Sequence, residues 1–312
     1  MGARILRFVL ATGLLHAGCG GSEFASQGSD GATSGSGGAS GGATGSGGSA
    51  AGGTSGGSSG AGAGGGAGAD AGDDSSGGAP PLAVVRASDT MLSTADIPTL
   101  TFEPAPRAGN SIIVGVTCIS DYLSDCTIST GGVTDNHGNS YTRAVQSEPI
   151  RSSAQAARGY IFIAQNVVVA SGPFVISVDP EGTTTLQAVA WGAIEVSGLA
   201  APPSLDAWGI TVAGGSDPTS TTAATDRATA QPNELAVAML SMRSSDTNML
   251  ITPESSWVSH HIHQNNASGP PGHSMVSRLL SSTAIVSHSW THDAPTRGVA
   301  AIIATFAGAA QN

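Results

Sequence analysis

From residue 81 onward, apolar and polar positions alternate in short runs separated by Gly, Pro, Asn and Asp. Phe174-Val175-Ile176-Ser177-Val178-Asp179 is the clearest case: Phe174, Ile176 and Val178 fall on one side, as in a strand with one buried and one wet face. The same reading places further strands near 82–87, 98–103, 111–118, 127–135, 139–147, 158–165 and 186–197. Later ones fall near 221–229, 234–243, 257–263, 274–280, 284–292 and 298–307. Ile112–Val116, Leu235–Leu240 and Val299–Phe306 are apolar on both faces and suit central strands covered from both sides. No stretch keeps a 3.6-residue period with capping residues, so no long helix is expected. The pattern predicts an all-β domain over residues 81–312, a two-sheet antiparallel sandwich. Residues Ala108–Val116 and Gln231–Leu240 share a small-Asn-x-apolar-x-Val pattern, compatible with two related halves.

Composition changes sharply before residue 81. Between Gly20 and Pro80 lie 25 of the chain's 45 glycines, with Ser, Ala and Thr making up most of the rest. Such a segment buries too little apolar surface to offset the entropy of folding, so residues 19–80 read as a disordered tether. A flexible chain of that length has an r.m.s. span of about 43 Å. Its carboxylates (Glu23, Asp30, Asp70, Asp73, Asp74) stand without any cation, so it has no attraction to an anionic membrane surface. All 11 Lys+Arg residues of the chain are arginines. That excludes a Walker-type phosphate lysine, a Schiff-base enzyme and a lysine general base. A net charge of −11 without a basic cluster excludes nucleic acid as a partner.

Residues 1–18 read as a targeting signal. Arg4 and Arg7 precede the apolar stretch from Phe8 to Leu15, which is too short to span a bilayer and has the length of a signal-peptide core. Leu15-His16-Ala17-Gly18-Cys19 resembles the bacterial lipobox, with His16 where the family pattern prefers Leu. The resemblance implies lipid attachment at Cys19 and, with Gly20 following, an outer-membrane or cell-surface location; an ordinary secretory signal is the alternative. Lipidation of Cys19 leaves Cys118 and Cys126, an even number in an exported domain, and these are expected to pair. The bridge would close a short loop and contribute about 2.6 kcal/mol in the chain-entropy picture.

One hairpin stands out. In Val133-Thr134-Asp135-Asn136-His137-Gly138-Asn139-Ser140-Tyr141-Thr142, Asp135 is placed to accept from amides ahead of it, and Gly138 can take a positive φ. The segment resembles a class of exported bacterial β-sandwich domains marked by a Val-Thr-Asp-x-x-Gly-Asn-x-Tyr-Thr hairpin. Ala108-Gly109-Asn110, Glu195-Val196-Ser197-Gly198 with Leu205-Asp206, Asn233-Glu234-Leu235 and a closing strand ending in Phe306 follow in the same order. The resemblance covers roughly Leu82 to Ala307. It implies a sandwich of the jelly-roll or lectin-like kind and no assigned activity.

Candidate chemistry is sparse. In Trp257-Val258-Ser259-His260-His261-Ile262-His263, plain alternation puts Trp257, His261 and His263 on one face, and His273 or Glu254 could complete a three-ligand zinc site. His288-Ser289-Trp290-Thr291-His292 alternates in the same way beside Asp293; the simpler reading of both sets is a solvent-facing strand side. Gly272-His273-Ser274-Met275-Val276 lacks the second glycine and the strand–turn–helix setting of a nucleophile elbow, so a serine hydrolase is not expected. Glu195 shares a strand face with Trp191 and Val189, but no strand pattern supplies the second carboxylate a glycosidase needs, and a hydrogen bond or ion pair to an arginine is the expected role. Asp121 and Asp125, in the loop between the cysteines, could hold a structural calcium; no other cofactor is expected. Tyr122, Trp208 and Trp257 are the candidate exposed aromatic platforms, whereas Trp191 and Trp290 are expected in the core. These readings favour a lipid-anchored envelope protein presenting a non-enzymatic binding or adhesion module to a glycan, matrix polymer or protein partner. The alternatives are a tethered polysaccharide hydrolase and a structural envelope protein.

Overall fold

The computed structural model describes residues 79–310 apart from 89–90, 94–96, 122–125, 152–154, 182–185, 215–218, 243–249, 265–271 and 294–297. The described residues contain strands and no helix. The first half holds β1 (Ala83–Ala87), β2 (Met91–Ser93), β3 (Thr99–Phe102), β4 (Ser111–Asp121) and β5 (Thr127–Asp135). It continues with β6 (Thr142–Gln146), β7 (Ile150–Arg151), β8 (Gln155–Ala164), β9 (Phe174–Glu181) and β10 (Leu186–Ser197). The second half holds β11 (Leu205–Gly214), β12 (Ser220–Ala224), β13 (Glu234–Met242) and β14 (Ile251–Pro253). It ends with β15 (Val258–His263), β16 (Gly272–Leu280), β17 (Ser287–His292) and β18 (Gly298–Ala307).

The antiparallel sandwich expected from the pattern is present, and it is present twice. In the first half the large sheet runs β1-β10-β4-β8-β6, with β2 beside β10 and β7 beside β8, and is covered by the small sheet β3-β9-β5. In the second half the large sheet runs β11-β18-β13-β16-β15 and the small one β12-β17-β14. The two strand orders correspond term by term. Between the sheets of the first sandwich lie Phe102, Ile112, Val114, Val116, Phe162, Phe174 and Trp191. Between those of the second lie Ala236, Ala238, Leu240, Val276, Trp290 and Ile303. The large sheets also pack on each other, through Ile113, Ile161, Ile163 and Ile194 of one and Leu235, Val237, Met239, Met275 and Ile302 of the other. Four layers result, and the central strands are covered on both faces, which explains their unbroken apolar runs.

The halves correspond in register as well as order, but one position away from the expected alignment. Arg107 N–H donates to Glu195 Oε1 at 2.7 Å, and Gln231 N–H donates to Glu234 Oε1 at 3.3 Å. Ile112 and Ala236 each face their own small sheet, so Ile112 matches Ala236, and Asn110 matches Glu234 rather than Asn233. The difference matters because a one-residue slip on a strand exchanges its faces. Ile112, Val114 and Val116 face their own small sheet, and so do Ala236, Ala238 and Leu240; Leu235 and Val237 face the other sandwich.

Most strands lie where alternation places them; β2, β7, β11 and β14 do not emerge from it. Strand β11 carries Asp206 and Gly209 and sits at a sheet edge, half covered, so its pattern is blurred. The Asp135 hairpin works as a clasp. Asp135 Oδ1 accepts from His137 N (2.9 Å) and Asn139 N (3.1 Å), and Oδ2 from Asn139 Nδ2 (3.0 Å) and Tyr141 OH (3.1 Å). Gly138 has φ 78°, a turn conformation open to glycine. His137 stacks on Phe174 with ring centroids 5.0 Å apart, tying the turn to β9.

Candidate functional site

Strand β11 carries the one described tryptophan with substantial exposure. Trp208 is 40% exposed and Val212 42%, with the partly buried Ile210 between them on the same side of this edge strand. Trp208 C=O accepts from Asp226 N at 2.9 Å, the Arg227 guanidinium donates to Asp206 C=O, and Asp226 and Arg227 are themselves exposed. The segment that follows β12 is thus tied to the backbone of the strand that carries the exposed indole. The bulge between Leu205 and Trp208 turns the start of the strand, leaving Asp206 Oδ2 to accept from Ala230 N at 2.7 Å.

Beneath this corner lies a carboxyl pair that no local sequence pattern announces. Glu234 is fully buried, and burial raises its pKa; the adjacent Asp206 carboxylate raises it further, against hydrogen bonds from Thr305 and Gln231 N–H. The matching corner of the first sandwich is neutralised differently. Glu195, also fully buried, accepts from Arg86 Nε at 2.5 Å, Arg107 N at 2.7 Å and Asn110 Nδ2 at 2.6 Å, and Arg86 lies 5.6 Å from the Phe102 ring centre. Both oxygens of Glu195 are engaged, which makes it a strand-end clamp of the kind expected from its position. One half therefore sets a cation against its buried carboxylate, and the other sets a second acid beside it, which favours the protonated form of Glu234.

The histidine stretch departs from plain alternation. A bulge in β15 between Ser259 and His261 places an extra residue opposite one of β16 and reverses the faces after it. Trp257 consequently packs into the second sandwich, 5% exposed, and is not the exposed platform expected. His261 turns the opposite way, toward the first sandwich, where its Nε2 lies 3.3 Å from Ala193 O. His263 pairs in register with His273. Among the described residues, no three His, Cys, Asp or Glu side chains are grouped to hold a metal ion, so His261, His263 and His273 are neighbours without forming the candidate zinc triad.

Nor do the imidazoles line a solvent-facing side, as the simpler reading had it: His261, His273, His288 and His292 are all buried. His288 lies between Trp257 and Trp290, with ring centroids at 4.8 and 4.2 Å, and Arg278 sits 5.1 Å over Trp257. Burial lowers the pKa of His273 to about 3 and of His288 and His260 to about 4, and it also lowers those of His263 and His292. These rings are neutral at pH 7, and His288 serves as a packed aromatic side chain.

Three glycines of the first large sheet make room for side chains of the second. A methyl group on Gly192 would meet the His261 ring at 2.5–2.7 Å, and one on Gly159 would meet Ser241 Oγ at 2.5 Å. Over Gly115 lie Met239 Sδ and Met275 Sδ, 3.0 and 3.1 Å from where a Cβ would stand. Thr117 Oγ1 and Ser241 Oγ, equivalent positions of the two halves, hydrogen-bond to each other at 2.8 Å across the contact. Ser274 is buried in β16 and accepts from Trp290 Nε1 at 3.1 Å, which fixes it as a core residue rather than a nucleophile. Trp191 and Trp290 are fully buried, as expected.

Cys118 and Cys126 form a disulfide with Cα atoms 5.8 Å apart. Cys19, Tyr122 and Asp125 lie outside the described residues, as does the side chain of Asp121. Asp206, Glu234, Met239 and Met275 are the site residues that sequence reasoning missed. The signal for the last two was a glycine in the middle of each apolar strand that faces them. No family model matches the chain, and neither a curated protein nor a solved structure is found to match it.

Proposed function

We propose that the chain is a cell-envelope lipoprotein whose double sandwich is a non-enzymatic binding module for surface or matrix glycans. In this reading Cys19 carries the lipid, residues 20–80 reach outward, and the edge of β11 makes the contact. The observation that carries it is Trp208, 40% exposed on an edge strand whose backbone is met by the exposed, charged residues Asp226 and Arg227. An exposed indole offers an apolar face for a sugar ring, and charged groups at its margin supply hydrogen bonds to hydroxyls. The disulfide suits an oxidising compartment and so supports export. A hydrolase would have to use the Asp206–Glu234 pair, and the full burial of Glu234 weighs against access by substrate.

The test is a polysaccharide pull-down and glycan array with the full chain carrying Cys19→Ser, with and without calcium. Retention of a glycan that falls at least tenfold in Trp208→Ala supports the reading. Retention by no glycan overturns it, and release of soluble sugar by wild type but not by Glu234→Gln replaces it with the hydrolase.

A further inference from the structure

Within the contact between the two sandwiches, two thioethers and one imidazole meet over a single glycine. Met239 Sδ lies 3.0 Å, Met275 Sδ 3.1 Å and His273 Cε1 3.7 Å from the position a Cβ of Gly115 would take. All three side chains are fully buried. They come from β13 and β16, adjacent strands of the second large sheet, with Met239 and Met275 directly paired in register. Thioether sulfur is soft and polarisable, and buried methionine ordinarily only fills space. The imidazole is what sets this cluster apart.

His273 Nδ1 lies 2.9 Å from Thr117 Oγ1, and Thr117 Oγ1 lies 2.8 Å from Ser241 Oγ. His273 Nε2, by contrast, is buried without a hydrogen-bond partner. If Nδ1 carries the proton and donates to Thr117, the threonine hydroxyl can donate onward to Ser241, and Nε2 is left with a lone pair. This is the arrangement of a metal-binding histidine, whose second nitrogen is oriented by a hydrogen bond. A buried acceptor with nothing to accept is destabilising, and a ligand at that nitrogen relieves the cost. Two thioethers and one neutral imidazole form a donor set without negative charge, suited to a soft monovalent cation and poorly suited to zinc or calcium.

We propose that Met239 Sδ, Met275 Sδ and His273 Nε2 form a site for a soft monovalent cation, Cu(I), for which Ag(I) is a redox-inert stand-in. Gly115 leaves the three donors room, and His263, half-buried on the edge strand β15, pairs in register with His273. Because the donors are buried, entry requires local opening, so loading is slower than diffusional encounter.

The test is an Ag(I) titration of the full chain with Cys19→Ser, which removes the competing thiol, followed by NMR of labelled methionine methyl groups. One equivalent of Ag(I) should shift the methyl signals of Met239 and Met275 and leave that of Met242, which packs inside the second sandwich, in place. Met239→Leu and Met275→Leu preserve volume and fold; each should weaken Ag(I) binding at least tenfold, and the double variant should abolish it. Met242→Leu should bind as wild type does. The proposal is overturned if one equivalent of Ag(I) moves no methionine signal or moves Met242 equally. It is also overturned if binding survives in the double leucine variant.

Discussion

The two sandwiches share a strand order and treat their polar residues in opposite ways. The first holds its acids in complete hydrogen-bond sets: Asp135 ties a hairpin through four bonds, and Glu195 is met by a guanidinium, an amide side chain and a backbone N–H. The second buries imidazoles among aromatic rings and shields a carboxyl group beside another acid. Their contact is unequal in the same sense, for the first half supplies glycines where the second supplies His261, Ser241 and methionine. A doubled fold thus need not be doubled in chemistry. One half is specialised for tight closure of its turns, and the other carries the groups whose state depends on pH or ligand.

Substitutions at the clasp should have the largest effect. Asp135→Ala removes a carboxylate that accepts four hydrogen bonds and should cost about 3 kcal/mol, at roughly 1.5–3 kcal/mol for each bond to a charged group less relaxation of the exposed turn. Urea unfolding measures it, and since Glu254, the acid of the corresponding β14–β15 hairpin, accepts one side-chain hydrogen bond, from Ser256 Oγ at 2.6 Å, where Asp135 takes four bonds, its substitution should cost clearly less. Filling the sockets comes next. Gly192→Ala and Gly159→Ala should each cost about 2 kcal/mol by overpacking, and His261→Ala should relieve the first but not the second. A double-mutant cycle that found the Gly192 and His261 effects additive would deny the socket.

Acid should act on the second half first. The pKa values of His260, His263, His273, His288 and His292 are depressed on folding, so between their folded values and about pH 6.5 the unfolded chain binds more protons. The stability these rings contribute is present above pH 6.5 and is lost as the pH falls toward 3–4. Unfolding at pH 5 should therefore be easier than at pH 7, and His288→Phe should flatten the dependence. Glu234 has the opposite sign. Its raised pKa means the folded chain holds the extra proton, so its penalty grows as pH rises above the usual carboxylate range. Glu234→Gln should stabilise the protein slightly at pH 7 and leave it unchanged near pH 4, as thermal melts at the two pH values would report.

Strand positions were legible because alternation records which face is buried, and Phe174–Asp179 is read that way without ambiguity. The four-layer stacking was not, since the apolar runs of β4, β13 and β18 say that both faces are covered and not by what. The bulge at β15 was equally hidden: nothing in Val258–His263 marks an extra residue, yet it separates Trp257 from His261. Asp206 meets Glu234 only through the pairing of both β11 and β13 with β18, a contact that exists in three dimensions alone. Gly115, Gly159 and Gly192 could have been noticed, because glycine inside an apolar strand marks a close approach.

The central claim is that the two sandwiches are one cooperative body, joined through the core between their large sheets. Native-state hydrogen exchange on the full chain tests it most directly. A shared core predicts that the amides of Val114–Thr117 in β4 and Val237–Leu240 in β13 exchange through openings of the same free energy, equal to that of global unfolding. Exchange of β13 at a clearly lower free energy than β4 would mean that the second sandwich opens alone, and would contradict the account.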